Sequence, residues 1–184
     1  GYQVGLLSTV VNYVDDEAVA ATHTTPNALE LNALLAKMVE AGCTHAFMEV
    51  SSHAIAQERI AGLEYAGALF TNLTRDHLDY HKTVDAYLQA KKMFFDMLPN
   101  DAFALTNIDD KVGEVMLQNT KASRYTLSLR KMANFRAKII EVLTEGMELH
   151  IDNHDVWVRF LGRFNAYNLL TVYGAAVLLG FDKE

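Results

Sequence analysis

The sequence predicts an α/β fold: a mainly parallel sheet with flanking helices, plus a small antiparallel sheet. Three observations predict it. Short apolar, β-branched runs alternate with amphipathic helical stretches up to about residue 107, which is the rhythm of βαβ units. Near residue 123 that rhythm gives way to strand-like runs separated by short turns, the pattern of an antiparallel meander. Hydrophobic residues make up 51% of the 184 positions, ample for a packed core.

The elements follow in order. Val4 to Val11 is apolar and β-branched and reads as one buried strand. Tyr13 to Ala21 is polar and irregular, with a hairpin as its simplest form. Thr24-Thr-Pro26 is a loop entering a helix over Asn27 to Ala41, whose stripe is Leu31, Leu34, Leu35 and Met38 at i, i+3, i+4, i+7. Gly42 ends it. Ala46 to Val50 is a short apolar run, hence a central strand, with Glu49 intruding at its end. Ser51 to Ile60 is a polar loop or helical turn. Ala66 to Thr71 is a second buried strand, expected beside and parallel to Ala46–Val50. Thr83 to Leu98 is an amphipathic helix, and Ala102 to Thr106 a further strand. Tyr125–Leu129, Phe135–Thr144, Met147–Ile151 and Val156–Leu161 form the expected meander, and Asn165–Leu179 the last helix.

Composition narrows the function. Net charge is −7 without a basic block, which argues against a nucleic-acid partner. Leu169 to Leu179 is the longest apolar stretch and is interrupted by Thr171, Tyr173 and Gly174. It is too short to span a bilayer, so membrane insertion is not expected. Nothing resembles a signal peptide. The lone Cys43 has no internal partner, which fits a reducing cytoplasm, and is expected to be a buried small residue. The length suits one domain, and both ends look cut from something longer.

Polar residues gather where strands end: Thr24 and Thr25, Glu49 with Ser51 and His53, Thr71-Asn72 leading to His77, and Asn107 with Asp109-Asp110. In open parallel sheets the carboxyl ends of strands are where ligands bind. Glu49 and His77 have the oxygen and imidazole donors of a hard divalent cation site such as magnesium, with substrate phosphate completing the shell. Lys91 lies seven residues after Val84 on the stripe of Tyr87, Leu88, Phe95 and Leu98, so it is expected to face inward, while Lys92 reaches water. An inward ammonium is costly unless paired, neutralised or chemically changed. As ammonium it cannot ligate a metal; as a carbamate it could. The alternative is that Lys91 snorkels to the surface. Gln57 and Arg59 follow in the loop, where a guanidinium suits a carboxylate or phosphate. His53 and His81 are weaker candidates, and Asp109-Asp110 are expected to cap the following helix. No glycine is followed by lysine, so a G-x-x-x-x-G-K-[ST] phosphate loop is absent.

These strings, in order, carry a resemblance. They are Leu7-Ser-Thr-Val10, Thr24-Thr-Pro26, Met48-Glu-Val-Ser-Ser-His53, Gln57-x-Arg59, Phe70-Thr-Asn-Leu-Thr-Arg-Asp-His-Leu-Asp-Tyr-His81, Ala90-Lys91, Thr106-Asn-Ile-Asp-Asp110 and Gly162-Arg-Phe-Asn-x-Tyr-Asn168. The chain resembles the central, P-loop-type domain of the Mur ligases, and most closely those that add the third residue of the peptidoglycan stem peptide.

That resemblance implies an ATP-dependent amide ligase of cell wall synthesis, with ATP and Mg2+ as cofactors. Its substrates would be UDP-N-acetylmuramoyl-L-alanyl-D-glutamate and a diamino acid, meso-diaminopimelate favoured over L-lysine. Carried over by motif, Glu49, His77 and a carbamylated Lys91 hold metal and serve catalysis. Thr24, Thr25, Ser51, Gln57 and Arg59 hold the UDP-muramoyl-dipeptide, and Asn107, Asp110, Asn165 and Asn168 border the nucleotide. Residues 1–184 would be an incomplete central domain. The phosphate loop, the N-terminal UDP-binding domain and the C-terminal domain would be absent, and the piece alone inactive. The resemblance also implies a cytoplasmic monomer. Two alternatives stand beside it: another ATP-dependent amide ligase, such as a folylpolyglutamate synthase or a different Mur ligase, or a metal-dependent hydrolase using His77, Asp79 and His81.

Overall fold

The computed structural model describes residues 1–74 and 78–182. His77 lies outside them. In chain order the elements are β1 (Val4–Leu7), β2 (Val11–Val14), β3 (Glu17–Ala20), α1 (Ala28–Glu40), β4 (His45–Met48), α2 (Ser52–Ala56), β5 (Gly67–Phe70), α3 (Leu78–His81) and α4 (Val84–Asp96). Then come β6 (Phe103–Asn107), α5 (Gly113–Met116), β7 (Ser123–Ser128), β8 (Phe135–Leu143), β9 (Gly146–Ile151), β10 (His154–Val158) and α6 (Arg163–Leu178). The fold is mixed α/β, with a six-stranded, mostly parallel sheet and a smaller second sheet. The contacts divide the chain into two compact units, one of Gly1–Leu63 with the described part of His77–Lys91, the other of the remainder.

The first unit holds a four-stranded sheet in the order β3-β2-β1-β4. The expected single strand over Val4–Val11 is in fact two. Ser8 donates its hydroxyl to the Val11 carbonyl at 2.6 Å, and its amide donates to the buried Asn12 side chain at 3.1 Å. That local polar exchange bends the chain, so β1 and β2 pair antiparallel. β2 and β3 form the expected hairpin. β1 then pairs in parallel with β4. Between them, α1 starts at Asn27, whose side chain accepts the amides of Leu29 and Glu30, a regular N-cap. It buries Leu31, Leu34 and Met38. Gly5 is required by that packing: a Cβ there would sit 2.2 Å from the Met38 sulfur. Cys43 is half-buried in the turn into β4 rather than fully buried.

The second unit holds the six-stranded sheet, β10-β9-β8-β7-β6-β5. β5, β6, β7 and β8 run parallel, and β8, β9 and β10 antiparallel. Two expectations are corrected here. Ala46–Val50 and Ala66–Thr71 are not paired neighbours, because β4 pairs with β1 and β5 with β6. Succession in sequence implies adjacency only about two-thirds of the time. Nor does β7 belong to the meander. Its connection to β8 is too short for an ordinary parallel crossover, which takes about a dozen residues. The stagger resolves this: only Leu127↔Phe135 and Ser128↔Arg136 are in register, so β8 begins where β7 ends. The core is Leu105, Leu127, Phe135, Met147, Leu149 and Ile151, covered by Ala166 and Leu170 of α6. Gly174 allows α6 this close, since a Cβ there would lie 2.8 Å from Leu105 Cδ2 and 3.2 Å from Phe135. Thus α6 buries one face, while Val172 on the other is 65% exposed. Among the described residues no helix is long and apolar enough to cross a membrane.

The helix α4 corrects the reading of its lysines. Tyr87, Ala90, Phe94, Phe95 and Leu98 are buried, yet Val84, in the first turn, is 47% exposed. Lys91 is half-buried, as its place in mid-arc requires. Lys92 does not reach water: it is 5% exposed, and its ammonium meets both Asp96 carboxylate oxygens at 2.6 and 2.8 Å. At ~100° per residue the buried arc is about 200° wide, and takes in both lysines. The buried arc is wider than the apolar stripe because Asp96, one turn on, pairs with Lys92 and lets it face inward.

Candidate active site

In the first unit β1 and β4 end side by side, with Leu7 and Met48 in register and the Glu49 amide donating to the Leu7 carbonyl at 2.9 Å. Thr9 and Glu49 leave these two strand ends and meet. The Thr9 hydroxyl donates to Glu49 Oε2 at 2.5 Å and its amide to the same oxygen at 3.1 Å. Thr9 Oγ1 also lies 3.2 Å from Thr24 Oγ1. Glu49 is exposed, and its other carboxylate oxygen makes no hydrogen bond among the described residues. That open, hard oxygen beside hydroxyls fits a magnesium ion. Magnesium is commonly held by only one or two carboxylates plus substrate phosphate. No group of three or more His, Cys, Asp or Glu that could hold a metal ion exists among the described residues.

The substrate candidates join the same network. Thr25, 1% exposed, donates its hydroxyl to the Glu49 carbonyl at 2.8 Å and accepts the Ser51 amide at 3.0 Å. This ties the Thr-Thr-Pro loop to the exit of β4. The Ser51 hydroxyl accepts the Ala54 amide and caps α2. Arg59 Nη1 donates to the Thr25 carbonyl at 3.0 Å, while Nε and Nη2 grip Gln57 Oε1 at 2.9 and 2.5 Å. Gln57 in turn donates to the Tyr80 hydroxyl at 3.3 Å. Tyr80 was not singled out from the sequence, nor was Thr9, although both lie inside the quoted strings.

His81 and His53 sit in a ring cluster rather than open in a loop. His81 is 9% exposed, with Nε2 2.9 Å from the Ser52 hydroxyl and its ring stacked 5.3 Å from that of Tyr87. His53 lies 4.0 Å from Tyr80 by ring centroids. The Lys91 ammonium stands 5.4 Å over the Tyr87 ring, a cation–π distance. Burial pulls the Lys91 pKa below its ordinary value.

A pocket of about 390 Å³ opens in the second unit at the carboxyl ends of β5 and β6. Asn107 and Asp110 line it, as expected, with Asp109, Arg130, Arg163, Phe164 and Tyr167. Asn107 donates to the Thr71 carbonyl at 2.8 Å, and Asp110 accepts the Leu73 amide at 3.1 Å. Asn165 and Asn168 are not in the lining. They bond to the Leu161 carbonyl and to each other, and their motif neighbours Arg163, Phe164 and Tyr167 face the pocket instead. Of the Asp109-Asp110 pair expected to cap a helix, Asp110 accepts the Val112 amide at 2.9 Å just ahead of α5, whereas Asp109 turns away from that helix. Asp109 accepts from Ser128, the Leu129 amide and the Tyr167 hydroxyl. Burial would raise its carboxyl, but these bonds and the Arg130 charge outweigh it and hold the pKa below the ordinary value.

Polar residues thus gather at strand ends in each unit, around an open carboxylate in the first and beside arginines and aromatics in the second. The chain belongs to the Mur ligase middle domain family, which it matches over residues 2–176. Over all 184 residues it is 62% identical to the UDP-N-acetylmuramoyl-L-alanyl-D-glutamate--2,6-diaminopimelate ligase of Cytophaga hutchinsonii. It is 65% identical to the ligase of that name from Parabacteroides distasonis. It spans 38% of the length of each. A solved structure of a ligase of the same name superposes with a TM-score of 0.83 at 30% identity, covering 99% of this chain and 39% of the other.

Proposed function

We propose that this chain is the catalytic middle of an ATP-dependent amide ligase. It would join a diamino acid, meso-diaminopimelate in preference to L-lysine, to UDP-N-acetylmuramoyl-L-alanyl-D-glutamate, and would act as a cytoplasmic monomer. The observation that carries the reading is the Thr9–Glu49 clasp at the paired ends of β1 and β4, in a chain 62–65% identical to ligases of that name.

The D-glutamate γ-carboxylate attacks the γ-phosphorus of ATP, the bond to the bridging oxygen breaks, and ADP leaves. The amine of the diamino acid attacks the resulting acyl phosphate carbon, gives up a proton, and phosphate departs from the new amide. Positioning and charge neutralisation carry such a reaction. Magnesium, when bound, offsets the charge of the meeting anions. Two such ions are proposed: Glu49 would hold one through its open oxygen and His77 the second, with Lys91 as its carbamate holding one of the two. Carbamate formation needs the neutral amine, which burial of Lys91 favours. Thr24, Thr25, Ser51, Gln57 and Arg59 would orient the UDP-linked substrate. Asn107 and Asp110 would border the nucleotide together with Arg163, Phe164 and Tyr167, while Asn165 and Asn168 would act from outside that lining by holding the start of α6. His81 is bonded to Ser52 and stacked on Tyr87, an arrangement that does not favour the hydrolase reading.

The test is ADP release by the full-length protein with ATP, Mg2+ and the UDP-muramoyl-dipeptide, with and without each diamino acid. Release that depends on meso-diaminopimelate and on the UDP substrate is expected. Release with neither, or only with an unrelated acceptor, would overturn the reading.

A further inference from the structure

We propose that the open cleft on the β8–β10 meander is an anion site for a small molecule carrying a diphosphate, distinct from the pocket at the ends of β5 and β6. The cleft has a volume of about 780 Å³ and shares no lining residue with that pocket. Arg136 and Lys138 line it with His150 and His154. Arg136 and Lys138 stand two residues apart on β8, both exposed, so both project from one face. His150 of β9 is the register partner of Lys138.

The charge balance of this face is what points to a ligand. The chain as a whole carries −7, yet Asp155 and Asp152 beside the cleft are already committed, and Glu148 of β9 is not part of its lining. Asp155 binds His150 Nδ1 at 2.6 Å. Asp152, in the β9–β10 turn, accepts the Tyr173 hydroxyl at 2.5 Å, which together with burial pushes that hydroxyl up to about 12. Neither Arg136 nor Lys138 makes an ion pair or side-chain hydrogen bond among the described residues. Two uncommitted cations in a concave face of an acidic protein concentrate anions.

Spacing selects the anion. Residues i and i+2 of a strand are about 6.5–7 Å apart. A guanidinium takes one phosphoryl group with paired N–H donors, and an ammonium serves as a point charge for a second. The two head groups can share a single phosphate, but a diphosphate gives each its own phosphoryl group and so more charge-assisted bonds. The volume exceeds that of a bare diphosphate, and the half-buried Leu129 offers apolar wall to an organic remainder.

Inorganic pyrophosphate is the probe. Isothermal titration of the full-length protein is expected to show a saturable pyrophosphate site that depends on Arg136 and not on Arg130, bound about tenfold or more tighter than inorganic phosphate. Arg136→Ala and Lys138→Ala should each weaken it about tenfold, Arg136→Lys by less, and Arg130→Ala, in the other pocket, should leave it unchanged. Circular dichroism checks that the variants remain folded. Absence of a saturable site, equal affinity for phosphate and pyrophosphate, or a loss in Arg130→Ala equal to that in Arg136→Ala would each overturn the proposal.

Discussion

Removing Asp96 strands a buried charge, and the size of that effect follows from the geometry of α4. Lys92 is 5% exposed, and its ammonium makes two short contacts to Asp96, whose side chain is 32% exposed. Breaking a fully buried pair by deleting one partner costs about 3–5 kcal/mol. Partial access of water to Asp96 lowers that to about 2–3 kcal/mol for Asp96→Ala. Lys92→Met keeps the stem, removes the charge, and leaves Asp96 with water to solvate it, so it should cost about 0–1 kcal/mol. The double variant should lie close to Lys92→Met alone, because the charge that Asp96→Ala strands is gone. For a chain of this size about 2–4 °C of Tm accompanies each kcal/mol, giving a drop of about 5–10 °C for Asp96→Ala. Thermal and urea unfolding followed by circular dichroism measures all three variants. Asp96→Ala within about 0.5 kcal/mol of wild type, or Lys92→Met as costly as Asp96→Ala, would refute the reasoning.

Arg59→Ala in the full-length enzyme should raise the KM for the UDP-muramoyl-dipeptide about tenfold while moving that for ATP little; equal changes in steady-state kinetics would count against its role. Tyr65→Phe removes a buried hydroxyl that has no hydrogen-bond partner among the described residues, so urea unfolding at pH 7 should show no loss, or a gain of about 1 kcal/mol. Burial pushes the Tyr65 hydroxyl up to about 12, so its folded pKa exceeds its unfolded one. The stability linked to it is whole below pH ~10 and is lost as pH rises through the folded value. The Phe variant should therefore lose less stability than wild type between those pH values, and identical alkaline profiles would contradict this.

The parts of the fold carried by local pattern were legible. The α1 stripe, the cap at Asn27 and the stop at Gly42 are written in consecutive residues, and α1 forms where they place it. Strand pairing was less legible because it is set by partners far along the chain. The parallel β7–β8 stagger looks like a hairpin when only the loop length is read, and β4 next to β1 requires knowing which edge is free. At the site, Glu49, Thr24, Thr25, Ser51, Gln57 and Arg59 were legible as polar residues at strand ends, and the structure draws them into one network. Thr9 was hidden because Val4–Val11 read as a single strand. Lys92 was misread because an i, i+4 acid one turn on changes the cost of facing inward.

The proposed role of Lys91, and not its neighbour, as an anionic metal ligand in a ligase is open to direct test. The direct measurement is ligase activity of the full-length Lys91→Ala variant with and without short carboxylic acids, beside Lys92→Met, whose fold should persist. Nearly complete loss in Lys91→Ala, partial recovery on adding acetate or propionate, and retained activity in Lys92→Met are predicted. Full activity without Lys91, or loss in folded Lys92→Met with Lys91→Ala unaffected, would contradict it.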